Sequence, residues 1–160
     1  MNILNIVSID ELSKIVSLHK NEGKSIIFTN GCFDIIHVGH VRYLKEAKSK
    51  GDILILAVNG DQSIKRLKGK SRPINRLEYR LEVLSGLSSI DYLISFDEDT
   101  PEELLKIIKP DILVKGGDYS HSNHIVGKDI VESYGGSVCL LSQVKGISTS
   151  AIIEKSKVSK

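Results

Sequence analysis

Short apolar runs alternate with longer amphipathic ones along the whole chain. The apolar runs are Ser25–Thr29 (SIIFT), Ile53–Val58 (ILILAV), Asp91–Phe96 (DYLISF), Asp111–Lys115 (DILVK) and Ser137–Leu141 (SVCLL). They are rich in Ile, Leu and Val without strict alternation, the pattern of strands covered on both faces. Helical stretches with recognisable starts lie between them. Ser8-Ile-Asp-Glu11 is a capping-box pattern that opens a helix ending near Gly23. Asn75, with Glu78 three residues on, opens a second, and Thr100-Pro101-Glu102-Glu103 combines an N-cap threonine with a proline at the first helical position. Pro110 halts the segment LLKIIK. A helix beginning at Gly39 is expected to stop at Gly51, read as a left-handed C-cap.

Strand, helix and strand recurring in this way predict right-handed crossovers and a Rossmann-like, doubly wound α/β fold. Its sheet should be mainly parallel and five-stranded, with helices on both faces. We expect one domain over residues 1–160, with a helical extension at 1–24, a core at 25–153 and a solvated tail at 154–160. The charged stretch Lys65–Pro73 (KRLKGKSRP) is expected to be a mobile loop. In such folds ligands bind at the carboxyl ends of the strands.

Composition adds exclusions. The 160 residues are 41% hydrophobic and 26% charged, and the net charge of +2 gives no reason to invoke nucleic acid or an anionic membrane. The apolar runs are far too short to span a bilayer, and Met1–Ser8 lacks the pattern of a secretory signal. Two isolated cysteines, Cys32 and Cys139, suit free thiols in a reducing cytoplasm.

Candidate chemistry concentrates where the strand rule points. Asn30-Gly31 is a turn signal after the first strand, and Gly31 would let a ligand approach the backbone. The run HVGH (His37, Gly39, His40) stands at a helix start, where free amides and the helix dipole favour an anion. Two polar turn histidines, or a metal pair shared with His121 and His124, are the competing readings. No acidic or cysteine partner stands at metal spacing, so no metal ligands are assigned. Lys68 and Lys70 flank a glycine and can close over phosphates as point charges. Ser148 and Thr149 open the last helix with hydroxyls and free amides, as a second anion site or as a simple N-cap. In Leu113–Tyr119 (LVKGGDY), two glycines, an acid and an aromatic ring suit a base and ribose, or a plain turn. The chain has no GxGxxG, no GxxxxGK[ST] and no GxSxG.

The run TNGCFDIIHVGH resembles the signature of the HxGH nucleotidylyltransferase superfamily, and STSAII resembles its C-terminal phosphate-binding motif. The runs TNGCFDIIHVGHVRYLKEAKSKGD, AVNGDQSIKRLKGKSRPIN, FDEDTPEELL and PDILVKGGDY are similar to the branch acting on D-glycero-β-D-manno-heptose 1-phosphate. The helix-start motif departs from that family only in reading STS where STT is commoner. The resemblance implies AMP transfer from ATP to the sugar phosphate, giving ADP-heptose and pyrophosphate for a lipopolysaccharide or related glycan. By resemblance, His37, His40 and Lys68 are the catalytic residues, with Lys70 helping to close the site. Thr29, Asn30, Gly31, Cys32, Phe33, Gly39, Ser148, Thr149 and Ser150 would line the nucleotide, and Gly116, Gly117, Asp118 and Tyr119 its ribose and base. Asp34, Asp61, Arg80 and Lys115 would bind or brace the acceptor side. The same resemblance implies Mg²⁺ carried on ATP, a cytoplasmic homodimer, and a module often fused to a sugar kinase but expected to stand alone here. A cytidylyltransferase acting on glycerol 3-phosphate or another alditol phosphate, and a nucleotide-binding module without turnover, are the alternatives.

Overall fold

The computed structural model describes residues 5–117 and 125–157. Within them one parallel sheet has the order β3-β2-β1-β4-β5. The strands are β1 (Ile26–Gly31), β2 (Ile53–Asn59), β3 (Tyr92–Phe96), β4 (Ile112–Gly116) and β5 (Ser137–Leu141). Helices α1 (Ile9–Asn21), α2 (Val38–Lys48), α3 (Asp61–Lys68), α4 (Leu77–Ser85), α5 (Glu102–Ile108), α6 (Lys128–Ser133) and α7 (Thr149–Lys157) accompany them. The fold is the expected doubly wound α/β arrangement.

Strand β2, flanked by β3 and β1, shows why the strands do not alternate between apolar and polar residues. Its residues are all buried, and its two faces serve two cores. Ile53, Ile55 and Ala57 pack with Leu12 and Val16 of α1, Leu104, Leu105 and Ile108 of α5, and Val131 of α6. Leu54, Leu56 and Val58 pack on the other face with Leu44 and Ala47 of α2 and Leu81 and Leu84 of α4. Helix α1, expected as an extension, therefore contributes to the same core as the rest. Its start matches the sequence reading: Glu11 N donates to Ser8 Oγ at 3.3 Å, and Ser8 N donates to the Glu11 carboxylate at 2.8 Å.

Elsewhere the helix boundaries depart from expectation, each for a local reason. Asn75 does not cap α4; Arg76 holds that position, and the Asn75 side chain instead donates to the Asp34 carbonyl at 2.7 Å. Pro101 rather than Thr100 caps α5, while the Thr100 hydroxyl donates to the Glu102 carboxylate at 3.3 Å. The stretch Lys65–Pro73 is not wholly loop, because α3 extends to Lys68 before Gly69 breaks it at φ +99°. Gly51 is not a left-handed cap, since α2 ends at Lys48 with Ser49 at its C-cap. Glycine is needed there for space: a Cβ would lie 2.5 Å from both Ile27 Cδ1 and Ser25 Oγ. Ile27 is fully buried, and the Ser25 hydroxyl is engaged with the Asp52 carboxylate at 2.8 Å.

Neither neighbour can yield freely, so Gly51→Ala should lower the unfolding free energy by about 1–3 kcal/mol, the scale of overpacking. A urea denaturation midpoint close to the wild-type value would contradict this account.

Candidate active site

β1 and β4 are adjacent but pair only through Ile27↔Ile112 and Phe28↔Leu113, whereas β1 and β2 stay in register from Ile26↔Ile53 to Gly31↔Val58. The strand order reverses at this seam, and the chain leaves β1 and β4 in opposite directions, opening a crevice at their carboxyl ends. Side chains continue where the ladder stops. The Tyr43 hydroxyl of α2 lies 2.7 Å from Thr29 Oγ1 and donates to the Val114 carbonyl at 3.3 Å. One step further out, Lys115 Nζ donates to Asn30 Oδ1. Tyr43 thus wedges the parting strands and floors the cavity above them. Burial pushes its hydroxyl up to about 12, so it remains a neutral hydrogen-bonding group.

The cavity has a volume of about 460 Å³ and is lined by the end of β1, the start of α2, Lys68, Lys115 with Gly116, and the loop running from Ser142 to Thr149. His37 is the N-cap of α2 in extended conformation, and its ring stacks on that of His40 with centroids 3.8 Å apart. The His37 ring folds back over Gly39, where a Cβ would come within 2.9 Å of its Nδ1. Gly39 therefore exists for the histidine rather than for the helix. Gly31 answers to a similar constraint: a Cβ there would meet the Phe33 ring at 2.8 Å. Phe33 has φ +46°, rare for a bulky residue, and tilts its ring against His40 at 4.9 Å.

Both imidazoles are held neutral. Burial lowers His37, and burial together with the neighbouring His37 takes His40 down to about 4. Nδ1 of each ring is buried without a hydrogen-bond partner among the described residues. Two stacked rings cannot both carry charge unless an anion joins them, and the free amides of α2 open into the same space. Ala151 N donates to Ser148 Oγ at 3.1 Å, so Ser148 caps α7 on the opposite wall.

Behind this wall runs a braced ion-pair network. Asp34 is buried and accepts from Arg72 Nε at 2.6 Å, Ile74 N at 2.9 Å and Asn75 N at 2.8 Å. Burial alone would raise its carboxyl, but the Asn75 and Ile74 amides and the Arg72 guanidinium outweigh it and hold it below the usual range. Arg80, only 2% exposed, donates to the Cys32 carbonyl at 2.7 Å, the Asp61 carboxylate at 2.9 Å and the Asn75 carbonyl at 3.0 Å. Together these residues tie the loop after β1 to the start of α3 and to the segment leading into α4. The Cys32 thiol is pushed up by burial against the pull of Lys68, Arg80 and Arg72.

Of the residues singled out in the sequence, Asn30, Gly31, Cys32, Phe33, His37, Gly39, His40, Lys68, Lys115, Gly116, Ser148 and Thr149 converge on this cavity. Thr29 does not, because it is fully buried and its hydroxyl is taken by Tyr43. Lys70, Gly117 and Ser150 do not line the cavity either, and Lys70 and Ser150 are exposed. Asp34, Asp61 and Arg80 belong to the bracing network. Asp118, Tyr119, His121 and His124 lie outside the described residues. Tyr43, Ser142, Gln143, Val144 and Ile147 were missed. Tyr43 could have been found three residues after His40 on the same helical face, and the loop after β5 from the strand-end rule.

A second recess of about 510 Å³ lies beside the end of β3, but Asp97, Glu98 and Glu103 line it among apolar side chains. That charge suits it poorly to phosphates, whereas the first cavity offers imidazoles, amides and ammonium groups. The first can hold and align polyphosphate groups.

The sequence profile of the cytidylyltransferase-like family matches residues 28–155. The chain is 52% identical over 150 residues to the "Bifunctional protein HldE" of Ectopseudomonas mendocina, covering 94% of this chain and 32% of that protein. It is 58% identical over 134 residues to the protein of the same name from Alcanivorax borkumensis, covering 84% and 28%. The chain therefore spans about a third of the length of the curated relatives it matches. Among solved structures, a lipopolysaccharide core biosynthesis protein from Thermoplasma volcanium has TM-score 0.61 at 31% identity, covering 78% of this chain and 100% of that one. A pantoate-beta-alanine ligase from Francisella tularensis has TM-score 0.64 at 17% identity, covering 96% and 77%, and shares the fold.

Tyr43→Phe should destabilise the chain by about 1–3 kcal/mol, because it strands the Thr29 hydroxyl and the Val114 carbonyl in a buried seam. An unchanged unfolding free energy would remove Tyr43 from the role of wedge. For His40, whose folded-state value of about 4 lies below the ordinary imidazole range, the unfolded chain takes up the proton first. Its contribution to stability is therefore complete above about pH 6.5 and falls as pH drops toward about 4. Urea unfolding at neutral pH and near pH 5 should show a smaller acid loss in His40→Gln than in the wild type; equal losses would reject the assignment.

Proposed function

This chain belongs to the cytidylyltransferase-like family, and from that membership we propose that it transfers AMP from ATP to D-glycero-β-D-manno-heptose 1-phosphate, yielding ADP-heptose and pyrophosphate. The observation that carries the proposal is the stacked His37–His40 pair at the start of α2, inside a cavity shared with Lys68 and Lys115. Likeness to lipopolysaccharide core biosynthesis and HldE proteins favours the sugar-phosphate branch.

An oxygen of the acceptor phosphate attacks the α-phosphorus of ATP. The new P–O bond forms as the α-phosphorus loses its bridging oxygen, and pyrophosphate leaves with that electron pair. No protein nucleophile is needed. The site's work is to align two mutually repelling anions and to stabilise the charge gathering on pyrophosphate. His37, His40 and the first amides of α2 donate to the triphosphate and to the transition state. Lys68 neutralises phosphate charge from the end of α3, and Lys70 follows it in the adjoining loop. Ser148 and Thr149 offer a hydroxyl and helix-start amides from the opposite wall. Asp34, Asp61 and Arg80 fix the geometry of the loop that presents Asn30 to Phe33, and Gly116 borders the nucleoside.

A magnesium ion carried by the triphosphate would supply further charge neutralisation. No group of three or more His, Cys, Asp or Glu side chains among the described residues is arranged to hold a metal. No helix among the described residues is long and apolar enough to cross a membrane. We assign the reaction to the cytoplasm and the active unit to a homodimer.

The test is pyrophosphate release with ATP and CTP, each against heptose 1-phosphate and glycerol 3-phosphate. Turnover should be confined to ATP with the heptose phosphate; preference for CTP with glycerol 3-phosphate would replace the proposal with the cytidylyl reading. His40→Ala should lower kcat by about 100-fold or more, the scale of a lost transition-state donor. Turnover close to wild type in that variant would displace His40 from the mechanism.

A further inference from the structure

Lys115 presents a charge problem that the rest of the site does not solve. It lies on β4, in register with Leu140 of β5, and reaches across the parted seam to Asn30 of β1. Its side chain enters the cavity that holds His37, His40 and Lys68. An amide oxygen solvates an ammonium but does not neutralise it, and no carboxylate among the described residues pairs with Lys115. Burial lowers the amine to about 8, the behaviour of a cation short of a counter-charge.

The position of Lys115 also differs in kind from that of Lys68. Lys68 ends a helix, immediately before Gly69 at φ +99°. Lys115 stands on a paired strand with its head group held by a second strand, so it cannot travel with a ligand. A nucleophile requires that kind of anchorage, because in-line attack fails when the attacking oxygen is displaced by about 1 Å.

We propose that Lys115 is a catalytic residue that receives the phosphate monoester of the acceptor, and that Asn30 is the positioning residue that aims its ammonium. This assignment rests on the nucleotidyl-transfer reading. The ammonium donates to one or two phosphate oxygens and leaves another free to attack. No proton is transferred by the lysine, which stays charged throughout. The neutral amide of Asn30 suits this role better than a carboxylate, which would satisfy the ammonium permanently and compete with the incoming phosphate.

Two measurements on the full chain test the assignment. In the wild type, NMR titration of the Lys115 ε-methylene with inorganic phosphate and glycerol 3-phosphate should raise the titration of its amine above about 8. A titration curve unmoved by either anion would overturn the assignment whether or not the protein turns over. In steady-state kinetics, Lys115→Met should raise the acceptor KM by about 10- to 100-fold, the scale of one charge-assisted hydrogen bond. Binding of a non-hydrolysable ATP analogue should stay near wild type. Lys115→Arg should recover part of the acceptor affinity, and Asn30→Ala should raise the acceptor KM by more than it changes kcat. An unchanged acceptor KM, or an equal loss of nucleotide affinity, would place Lys115 elsewhere in the reaction. If no acceptor supports pyrophosphate release by the wild type, the nucleotidyl-transfer reading falls, while the phosphate titration still decides whether Lys115 is an anion site.

Discussion

The parting of β1 and β4 is the constraint on which the rest of the site depends. A parallel pair kept in register would have filled this space with backbone hydrogen bonds, as β1 and β2 do. The ladder stops after Phe28↔Leu113, and buried polar groups beyond that point must find other partners. Tyr43 supplies them for Thr29 and Val114. Its hydroxyl thus bridges the two strands where their ladder has ended, and the same side chain lines the cavity above them. Asn30 and Lys115 then occupy the mouth, where pairing has ended and solvent or ligand begins.

Positive groups converge on this mouth without canceling one another's use. The two histidines stay neutral through burial and mutual proximity, so the empty cavity does not accumulate repelling charges. The arginines are committed elsewhere: Arg72 to Asp34, and Arg80 to Asp61 and two carbonyls. That division lets buried guanidiniums set the shape of the loop after β1 while lysines and imidazoles remain for phosphates. Phe33 bears the local strain of the arrangement, with a left-handed backbone fixed between the Arg80 clamp on Cys32 and the Asp34 hub.

Much of this could be read from the chain before any coordinates. The five strands, their order of appearance and the placement of TNG and HVGH follow from apolar runs and helix starts, which are local signals. The Ser148 cap is local in the same sense. What could not be read were commitments made across the fold. Thr29 looked like a ligand group and is a buried tie to Tyr43. Asn75 looked like a cap and serves Asp34 instead. Gly51 looked like a helix terminator and is a gap left for Ile27 and Ser25. In each case the residue type was noticed correctly, but its partner lies far away in sequence.

By itself, the sequence determined a doubly wound α/β domain with an anion-binding helix start after its first strand, because periodicity and capping are encoded within a few neighbouring residues. Only the tertiary structure decided which polar groups remain available to a ligand. In a list of residues Arg80, Asp61, Asp34 and Lys115 are four charged side chains with nothing to tell them apart in availability. Arg80 and Asp61 engage each other between α4 and α3, and Asp34 is engaged by Arg72 and the amides of Ile74 and Asn75. Lys115 meets only a neutral amide among the described residues, and the difference arises because its partly buried ammonium, at the mouth of the cavity, is solvated there without being neutralised.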